Sequence, residues 1–270
     1  KNPAVVDIDA DIDKAANFLA DARLVNGGQV CLCPDYVFVP EAKLGEFTDK
    51  VIAHWTKSFP TIYDNSDYTS TINQKNYDRI VGLIDDAVEL GATKRQVIPG
   101  GEQLPSAERR KIPPTLLTGV KAGMKIADDE VFGPVLSVYP YRDLTEAITH
   151  IAANPHPLTM YWCGDDNANF KRLADNTRSG SINGNDFALH MFGAELPFGG
   201  IGRSGMGAYH GKTGFETFSH ARAVAFSTMP FTVAEMIAPP FTKRDTRMAN
   251  GQIKFWSKLN KRAAKKARKR

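Results

Sequence analysis

The sequence has few cysteines, no long apolar run and no apolar leader at its start. Its 270 residues include three cysteines, too few for a disulfide framework, and an odd number of them indicates a reducing compartment. No apolar stretch reaches the roughly 18 residues of a transmembrane helix. The first residues also lack the apolar core of a signal peptide. We therefore predict a cytoplasmic protein.

Excess positive charge is confined to the C-terminal end. Residues 254–270 hold nine Lys or Arg and no acid, whereas the rest of the chain carries 25 basic and 30 acidic residues. A nucleic-acid-binding fold would spread its basic surface over the folded elements, so we predict no nucleic-acid partner. As a helix, this tail would have a thin apolar stripe and a basic face, which is typical of peripheral contact with an anionic membrane. A disordered, solubilising tail is the alternative.

Apolar residues recur along the chain at alternating helical and strand spacings. We predict helices over residues 11–24, 41–57, 77–88, 143–153 and 167–177, and strands over 36–39, 135–139, 158–163 and 180–183. This alternation predicts an α/β fold with a largely parallel twisted sheet and flanking helices. Residues 91–134 are rich in proline, glycine and charge, and we expect them to be mostly loop with short strands. Residues 193–214 hold eight of the 22 glycines, and we expect them to be irregular.

Cys31 is the first candidate for chemistry, because it follows Asn26-Gly27-Gly28-Gln29-Val30 just before a predicted strand. The two glycines allow a close backbone approach or positive φ. Backbone N–H groups beside a cysteine stabilise its thiolate, which is the nucleophilic form. The alternative is a small buried side chain that only packs.

Glu130 and Phe132 form the second candidate, in Glu130-Val131-Phe132-Gly133-Pro134 directly before a strand. A carboxylate at the mouth of a strand can accept hydrogen bonds from ribose hydroxyls, and an aromatic ring can pack on a flat ligand. The alternative is a solvated acid and a core phenylalanine at a turn.

A glycine-rich segment over residues 200–205 matches the pattern G-x-G-x-x-G. A dinucleotide-binding loop needs a strand leading into it, a helix opening from it and an acid about 20 residues later. None of these accompanies residues 200–205, so we do not interpret the segment as a phosphate-binding loop.

Three segments, in this order, resemble the aldehyde dehydrogenase superfamily, and most closely its class 3 and coniferyl aldehyde dehydrogenase branch. They are the cysteine motif over residues 28–31, the nicotinamide-ribose motif over 130–134, and the C-terminal signature over 197–200, 205–212 and 215–220. The resemblance covers roughly residues 1–228 and implies an NAD- or NADP-dependent oxidoreductase that works as a homodimer.

The resemblance also implies a mechanism and a set of site residues. The Cys31 thiolate would attack an aldehyde to give a thiohemiacetal, and hydride transfer to the nicotinamide would leave a thioester that water hydrolyses to the acid. Glu130 would hold the nicotinamide ribose, with Phe132 beside the ring. The aromatic and apolar side chains expected to line the substrate tunnel are Phe187, Met191, Phe192, Phe198 and Tyr209. They favour an aromatic or medium-chain aldehyde, such as one like coniferyl aldehyde, although core packing is their alternative role.

Residues 1–3 align with the end of the family motif Glu-Leu-Gly-Gly-Lys, whose glutamate activates the hydrolytic water. That glutamate, the asparagine that completes the oxyanion hole and the NAD-binding domain are expected to precede residue 1. We therefore expect residues 1–228 to form the catalytic domain with its oligomerisation and cofactor-contacting segments, and residues 229–270 a C-terminal extension. The alternative is a catalytically incomplete chain that acts only as a binding or oligomerisation module.

Two remaining residue types suggest no further chemistry. Cys33 departs from the class 3 pattern, and we interpret it as a packing residue rather than as half of a strained disulfide with Cys31. The six histidines show neither i, i+4 pairing nor a Cys-x-x-Cys partner, so we predict no metal site.

Overall fold

Short apolar stretches of the chain assemble into one twisted sheet. The computed structural model describes residues 1–267, and the side chains of all of these except residues 236 and 263–267. Its strands are β1 (Asn2–Val6), β2 (Pro34–Pro40), β3 (Thr93–Gln96), β4 (Thr115–Thr118), β5 (Val135–Tyr141), β6 (Thr159–Cys163) and β7 (Ser181–Gly184). Across the sheet the order is β3-β4-β5-β2-β1-β6-β7, and only β3 and β4 pair antiparallel. The predicted α/β fold with a largely parallel sheet is confirmed.

Helices alternate with the strands along the chain, and further helices follow the last strand. They are α1 (Ile12–Leu24), α2 (Leu44–Ser58), α3 (Gln74–Glu89), α4 (Lys125–Asp128), α5 (Leu144–Ala153), α6 (Ala168–Asn176), α7 (Leu189–Phe192), α8 (Gly211–Thr217), α9 (Val233–Ile237) and α10 (Lys243–Ala267). Asp11 caps α1 by accepting a hydrogen bond from the Lys14 N–H. The predicted capping box of Asp143 and Glu146 is present at the start of α5.

The alternation of side chains along β2 explains why helices cover both faces of the sheet. Val37 and Val39 point into one apolar core with α1 and α2, whereas Tyr36 and Phe38 point into another with α5. All four side chains are buried, so β2 is a central strand with two dry faces. Trp55 is fully buried, and its indole N–H donates to the Ala20 carbonyl at 2.9 Å, which ties α2 to α1.

Some elements differ from the sequence-based expectations. Strand β1 was not predicted, and the segment starting at Glu41 opens as a 3-10 turn (Glu41–Lys43) before α2. The short strands expected within residues 91–134 are present as β3 and β4, but the single-turn helix α4 in that segment is not expected from the sequence. Helix α8 begins inside segment 193–214, which the sequence predicts to be irregular. The remaining predicted helices and strands are present with ends shifted by a few residues.

The chain divides into two compact units, Lys1–Ser219 and His220–Arg270. The sheet, with α1–α8, belongs to the first unit, and α9 and α10 belong to the second. None of the helices in the described residues is both long enough and apolar enough to span a bilayer.

Candidate active site

The Cys31 segment turns sharply between α1 and β2. After α1, Asn26, Gly27 and Gly28 all adopt positive φ (51°, 64° and 76°). The Gln29 side chain anchors the turn by donating to the Ser70 carbonyl at 3.1 Å and accepting from the Ile72 N–H at 2.9 Å. This backbone path leaves the Cys31 side chain exposed to solvent.

Glycine is required at position 28 because two loops meet there. A Cβ atom on Gly28 would lie 2.1 Å from the Gly133 carbonyl oxygen. Gly133 in turn lies against Ile80, whose Cδ1 would be 2.6 Å from an added Cβ. The cysteine motif and the Glu130 motif are therefore in backbone contact.

Side chains from four places in the chain hold the Glu130 segment in this position. Lys1 donates to the Asp129 carbonyl at 3.1 Å, and Arg79 donates to the carbonyls of Glu130 and Val131 at 3.2 and 2.5 Å. Asp35 accepts the Val131 N–H at 2.9 Å. Arg23, which is buried, donates to the carbonyls of Pro34 and Gly133. These groups hold the main chain and leave the Glu130 carboxylate free: it accepts no hydrogen bond from any side chain that the structure describes.

Asp35 is the charged centre of this arrangement. Its side chain is buried and lies 3.0 Å from the Lys1 Nζ atom. Burial opposes ionisation of Asp35, but the charges of Lys1 and Arg23 and the Val131 N–H outweigh it and lower its pKa. Asp35 therefore stays a carboxylate at neutral pH and links the start of β2 to the Glu130 segment.

Cys31 and Glu130 line the same cavity, which has a volume of about 470 Å³. This size is within the range of small-molecule sites. Its wall also contains Lys1, Arg203 and His150. Burial, with a smaller contribution from the Lys1 charge, lowers the pKa of His150, so this imidazole is neutral at pH 7.

The other two cysteines differ from Cys31 in exposure. Cys33 and Cys163 are buried, and burial raises the pKa of Cys33 to about 11 and that of Cys163 to about 12. Both therefore remain protonated thiols at neutral pH. All three cysteines are free, and Cys33 packs with its Sγ atom 3.7 Å from the Val25 carbonyl. The packing role predicted for Cys33 agrees with these contacts.

The predicted substrate-lining aromatics are not among the residues that line this cavity. Phe198 and Tyr209 pair through two backbone hydrogen bonds of 2.8 and 2.9 Å, and the Phe198 ring stacks on His190 at 5.3 Å. Phe187 stacks on Tyr161 at 6.1 Å and packs against the core beside α1. Phe132 has a φ of 50° and is 39% exposed next to Glu130, but it is not among the residues lining the cavity.

The glycine-rich segment 200–205 forms a tight turn. Gly202 and Gly205 make an isolated antiparallel bridge, and a Cβ atom on Gly200 would lie 2.2 Å from the Ser204 carbonyl oxygen. The next helix, α8, begins only at Gly211. The glycines of segment 200–205 therefore allow the backbone of this turn to pack closely.

Sequence reasoning did not find the residues that hold the two motifs together. No local pattern marks Arg23 or Arg79, and Lys1 and Asp35 stand in or beside family motifs without any sign of this role. Their common role is visible only in the folded contacts. No group of His, Cys, Asp or Glu side chains within the described residues has the geometry of a metal site.

Comparison with known proteins places these motifs in a family. Residues 1–224 match the model of the aldehyde dehydrogenase family. The probable coniferyl aldehyde dehydrogenase of Caulobacter vibrioides is 41% identical over 256 residues, which are 94% of this chain and 53% of that protein. Mouse aldehyde dehydrogenase family 3 member A2 is 38% identical over 224 residues, covering 82% of this chain and 44% of that protein.

Solved structures agree with these relatives. Staphylococcus aureus AldH in a substrate-bound state matches with a TM-score of 0.72 and 30% identity, over 93% of this chain and 53% of that one. The chain spans about half the length of the curated relatives it matches. The resemblance predicted from the three motifs is confirmed, and the chain belongs to the aldehyde dehydrogenase family.

Proposed function

We propose that this chain provides the nucleophile and part of the cofactor site for NAD- or NADP-dependent oxidation of an aldehyde to a carboxylic acid. The observation that carries the proposal is that Cys31, the exposed cysteine, lines the same cavity as the unpaired Glu130 carboxylate. Both residues lie in motifs of the family, and relatives such as that of Caulobacter vibrioides carry the name coniferyl aldehyde dehydrogenase.

Cys31 performs the covalent chemistry in this proposal. Its thiolate adds to the aldehyde carbon, forming a C–S bond and a thiohemiacetal oxyanion, and loss of hydride from that carbon leaves a thioester. Water then attacks the thioester, which releases the acid and restores the thiol. The Cys31 N–H donates to no acceptor among the described residues and so is available to stabilise the oxyanion.

The site fits the nicotinamide-ribose end of the cofactor. The Glu130 carboxylate is exposed in the cavity and free to accept ribose hydroxyls, and Phe132 beside it offers a ring for a flat group. When bound, the dinucleotide supplies the hydride acceptor. The described residues contain no glycine-rich loop between a strand and a helix that could bind the remainder of the dinucleotide.

For the substrate we propose an aromatic or medium-chain aldehyde, because relatives carry the name coniferyl aldehyde dehydrogenase. Phe187, Phe198 and Tyr209 would then line an approach other than the cavity that Cys31 and Glu130 share. We also propose a homodimer as the working form. One mouse relative is named as a dimeric, NADP-preferring aldehyde dehydrogenase.

The test measures acylation of the 270-residue chain by p-nitrophenyl acetate, followed by mass spectrometry of the adduct. We expect the acyl group on Cys31, loss of acylation in Cys31→Ser and full acylation in the matched variant Cys33→Ala. Absence of the adduct from Cys31 would contradict the proposed nucleophile and favour a non-catalytic binding module.

We propose a second role for helix α10, which is contact with an anionic membrane surface. At 3.6 residues per turn, the large apolar side chains of residues 248–262 fall on one side of the helix and the lysines on the other. The apolar side contains Met248, Ile253, Phe255, Trp256 and Leu259, all between 38% and 66% exposed. The opposite side contains Arg247, Lys254, Lys258 and Lys261. Residues 263–270 of the predicted basic tail lie outside the described side chains.

Sedimentation with vesicles tests this role. The chain should bind vesicles that contain phosphatidylserine, and high salt should weaken the binding. Replacing Lys254 and Lys258 by Gln should remove about 2 kcal/mol of binding free energy, or roughly thirtyfold in affinity. The matched control replaces the exposed Lys57 and Lys75 by Gln. Equal binding by both double variants would contradict the proposed contact.

A further inference from the structure

The three carbonyl groups of Cys31, Leu32 and Cys33 all accept hydrogen bonds from side chains. Asn2 Nδ2 donates to the Cys31 carbonyl at 2.7 Å and to the Cys33 carbonyl at 3.1 Å. The Tyr161 hydroxyl donates to the Leu32 carbonyl at 2.6 Å. Side chains from two strands therefore hold the main chain of the nucleophile.

An irregularity between β1 and β2 explains why side chains make these bonds. The register shifts between Asn2 and Pro3, which face Pro34 and Tyr36 respectively. Pro3 has no N–H and so contributes no donor to the ladder at this point. Buried carbonyls need partners, and the chain supplies them from Asn2 and Tyr161.

Both donors are themselves held in place. Asn2 is 1% exposed, and its Oδ1 atom accepts the Thr159 N–H at 3.3 Å. Tyr161 is fully buried, with its ring edge-on to Phe18 at 5.9 Å and stacked on Phe187 at 6.1 Å. Burial also raises the pKa of the Tyr161 hydroxyl, which remains a donor across the working pH range. These contacts leave neither side chain room to release its carbonyl.

We propose that Asn2 and Tyr161 are positioning residues that fix the Cys31 main chain so that its N–H meets the oxyanion as the thiolate attacks. The proposal rests on the proposed function, in which that N–H stabilises the oxyanion. The proposal predicts different effects on two reactions of the Cys31 thiol. Acylation by an ester passes through an oxyanion, whereas alkylation by iodoacetamide displaces iodide and forms none. Loss of positioning therefore slows acylation and leaves alkylation unchanged.

The chain offers a matched pair of variants. Tyr161→Phe removes the hydroxyl that donates to Leu32, and Tyr141→Phe removes a buried hydroxyl that donates to the Val6 carbonyl at 2.7 Å. Both substitutions delete one hydroxyl of a strand residue that donates to a main-chain carbonyl. Only the first deletes it beside Cys31. Asn2→Ser is a second variant on the cysteine side.

The experiment measures second-order rates of Cys31 acylation by p-nitrophenyl acetate and of its alkylation by iodoacetamide, with urea midpoints for each variant. In Tyr161→Phe and Asn2→Ser, acylation should fall roughly ten- to a hundredfold, while alkylation should stay within about twofold. Tyr141→Phe should keep both rates.

Two results would overturn the positioning role: equal acylation in Tyr161→Phe and Tyr141→Phe, or a parallel fall of acylation and alkylation. Failure of the unsubstituted chain to acylate Cys31 would instead contradict the proposed function on which the inference rests.

Discussion

Replacing Gly28 by Ala tests the contact between the cysteine loop and the Glu130 loop. Gly28 has a φ of 76°, and a left-handed conformation costs an alanine roughly 1–2 kcal/mol. The new Cβ would lie 2.1 Å from the Gly133 carbonyl oxygen and 2.5 Å from its carbon. Both are backbone atoms that cannot rotate away, so the loops must separate, and overpacking of this kind costs about 1–3 kcal/mol. We therefore expect a total loss of about 2–5 kcal/mol in the free energy of unfolding.

Urea unfolding measures this loss, and the same substitution elsewhere provides the control. Gly82 lies exposed within α3 with no atom within 4 Å of an added Cβ. Gly82→Ala should stabilise the chain by up to about 1 kcal/mol, because alanine favours the helix. Gly28→Ala should also slow Cys31 acylation by displacing the segment that contacts it. Equal stability of Gly28→Ala and the unsubstituted chain would refute the close contact.

Two further predictions concern the thiols and the buried carboxylate. Under native conditions, limiting iodoacetamide should label Cys31 faster than Cys33 or Cys163, because the latter two are buried and have raised pKa values. Mass spectrometry of the adducts measures the order of labelling. Faster labelling of a buried thiol would contradict the assignment of Cys31 as the reactive cysteine. Asp35→Asn should lower the free energy of unfolding by about 3 kcal/mol at pH 7, because it leaves Lys1 and Arg23 without their counter-charge. The folded-state pKa of Asp35 lies below its ordinary value of 3.8, so this stabilisation is complete above that pH and is lost as pH falls through the folded pKa. Urea titrations from pH 7 into acid should show the two chains converging, and a pH-independent difference would refute the ion pair as its source.

Local sequence patterns are sufficient to predict features that depend on a single helix end or a single turn. Asp11 caps α1 and the Asp143–Glu146 box opens α5, because a capping side chain bonds to a backbone N–H only two or three residues away. The sharp turn before Cys31 is also predictable from the sequence, because two consecutive glycines before a strand indicate backbone with positive φ.

Strand β1 shows where such patterns fail. It has five residues, includes Pro3 and is buried along its whole length, so it shows neither alternation nor a strand-favouring composition. Its structure comes from its position between β2 and β6, and neither neighbour is close in the chain. Strands β3 and β4 lie in a charged and proline-rich stretch, where the sequence predicts short strands without fixing their bounds.

By itself, the sequence determined the alternation of most helices and strands, the α/β class and the identity of the thiol and carboxylate motifs, because each depends on neighbouring residues. Only the tertiary structure decided that Cys31 and Glu130 share one cavity. That proximity depends on contacts between distant residues: Gly28 against Gly133, Asp35 with the Val131 N–H, and Asn2 with the Cys31 carbonyl. Such contacts leave no periodicity in the chain, since each is made by a single side chain or glycine whose partner is brought near by the sheet.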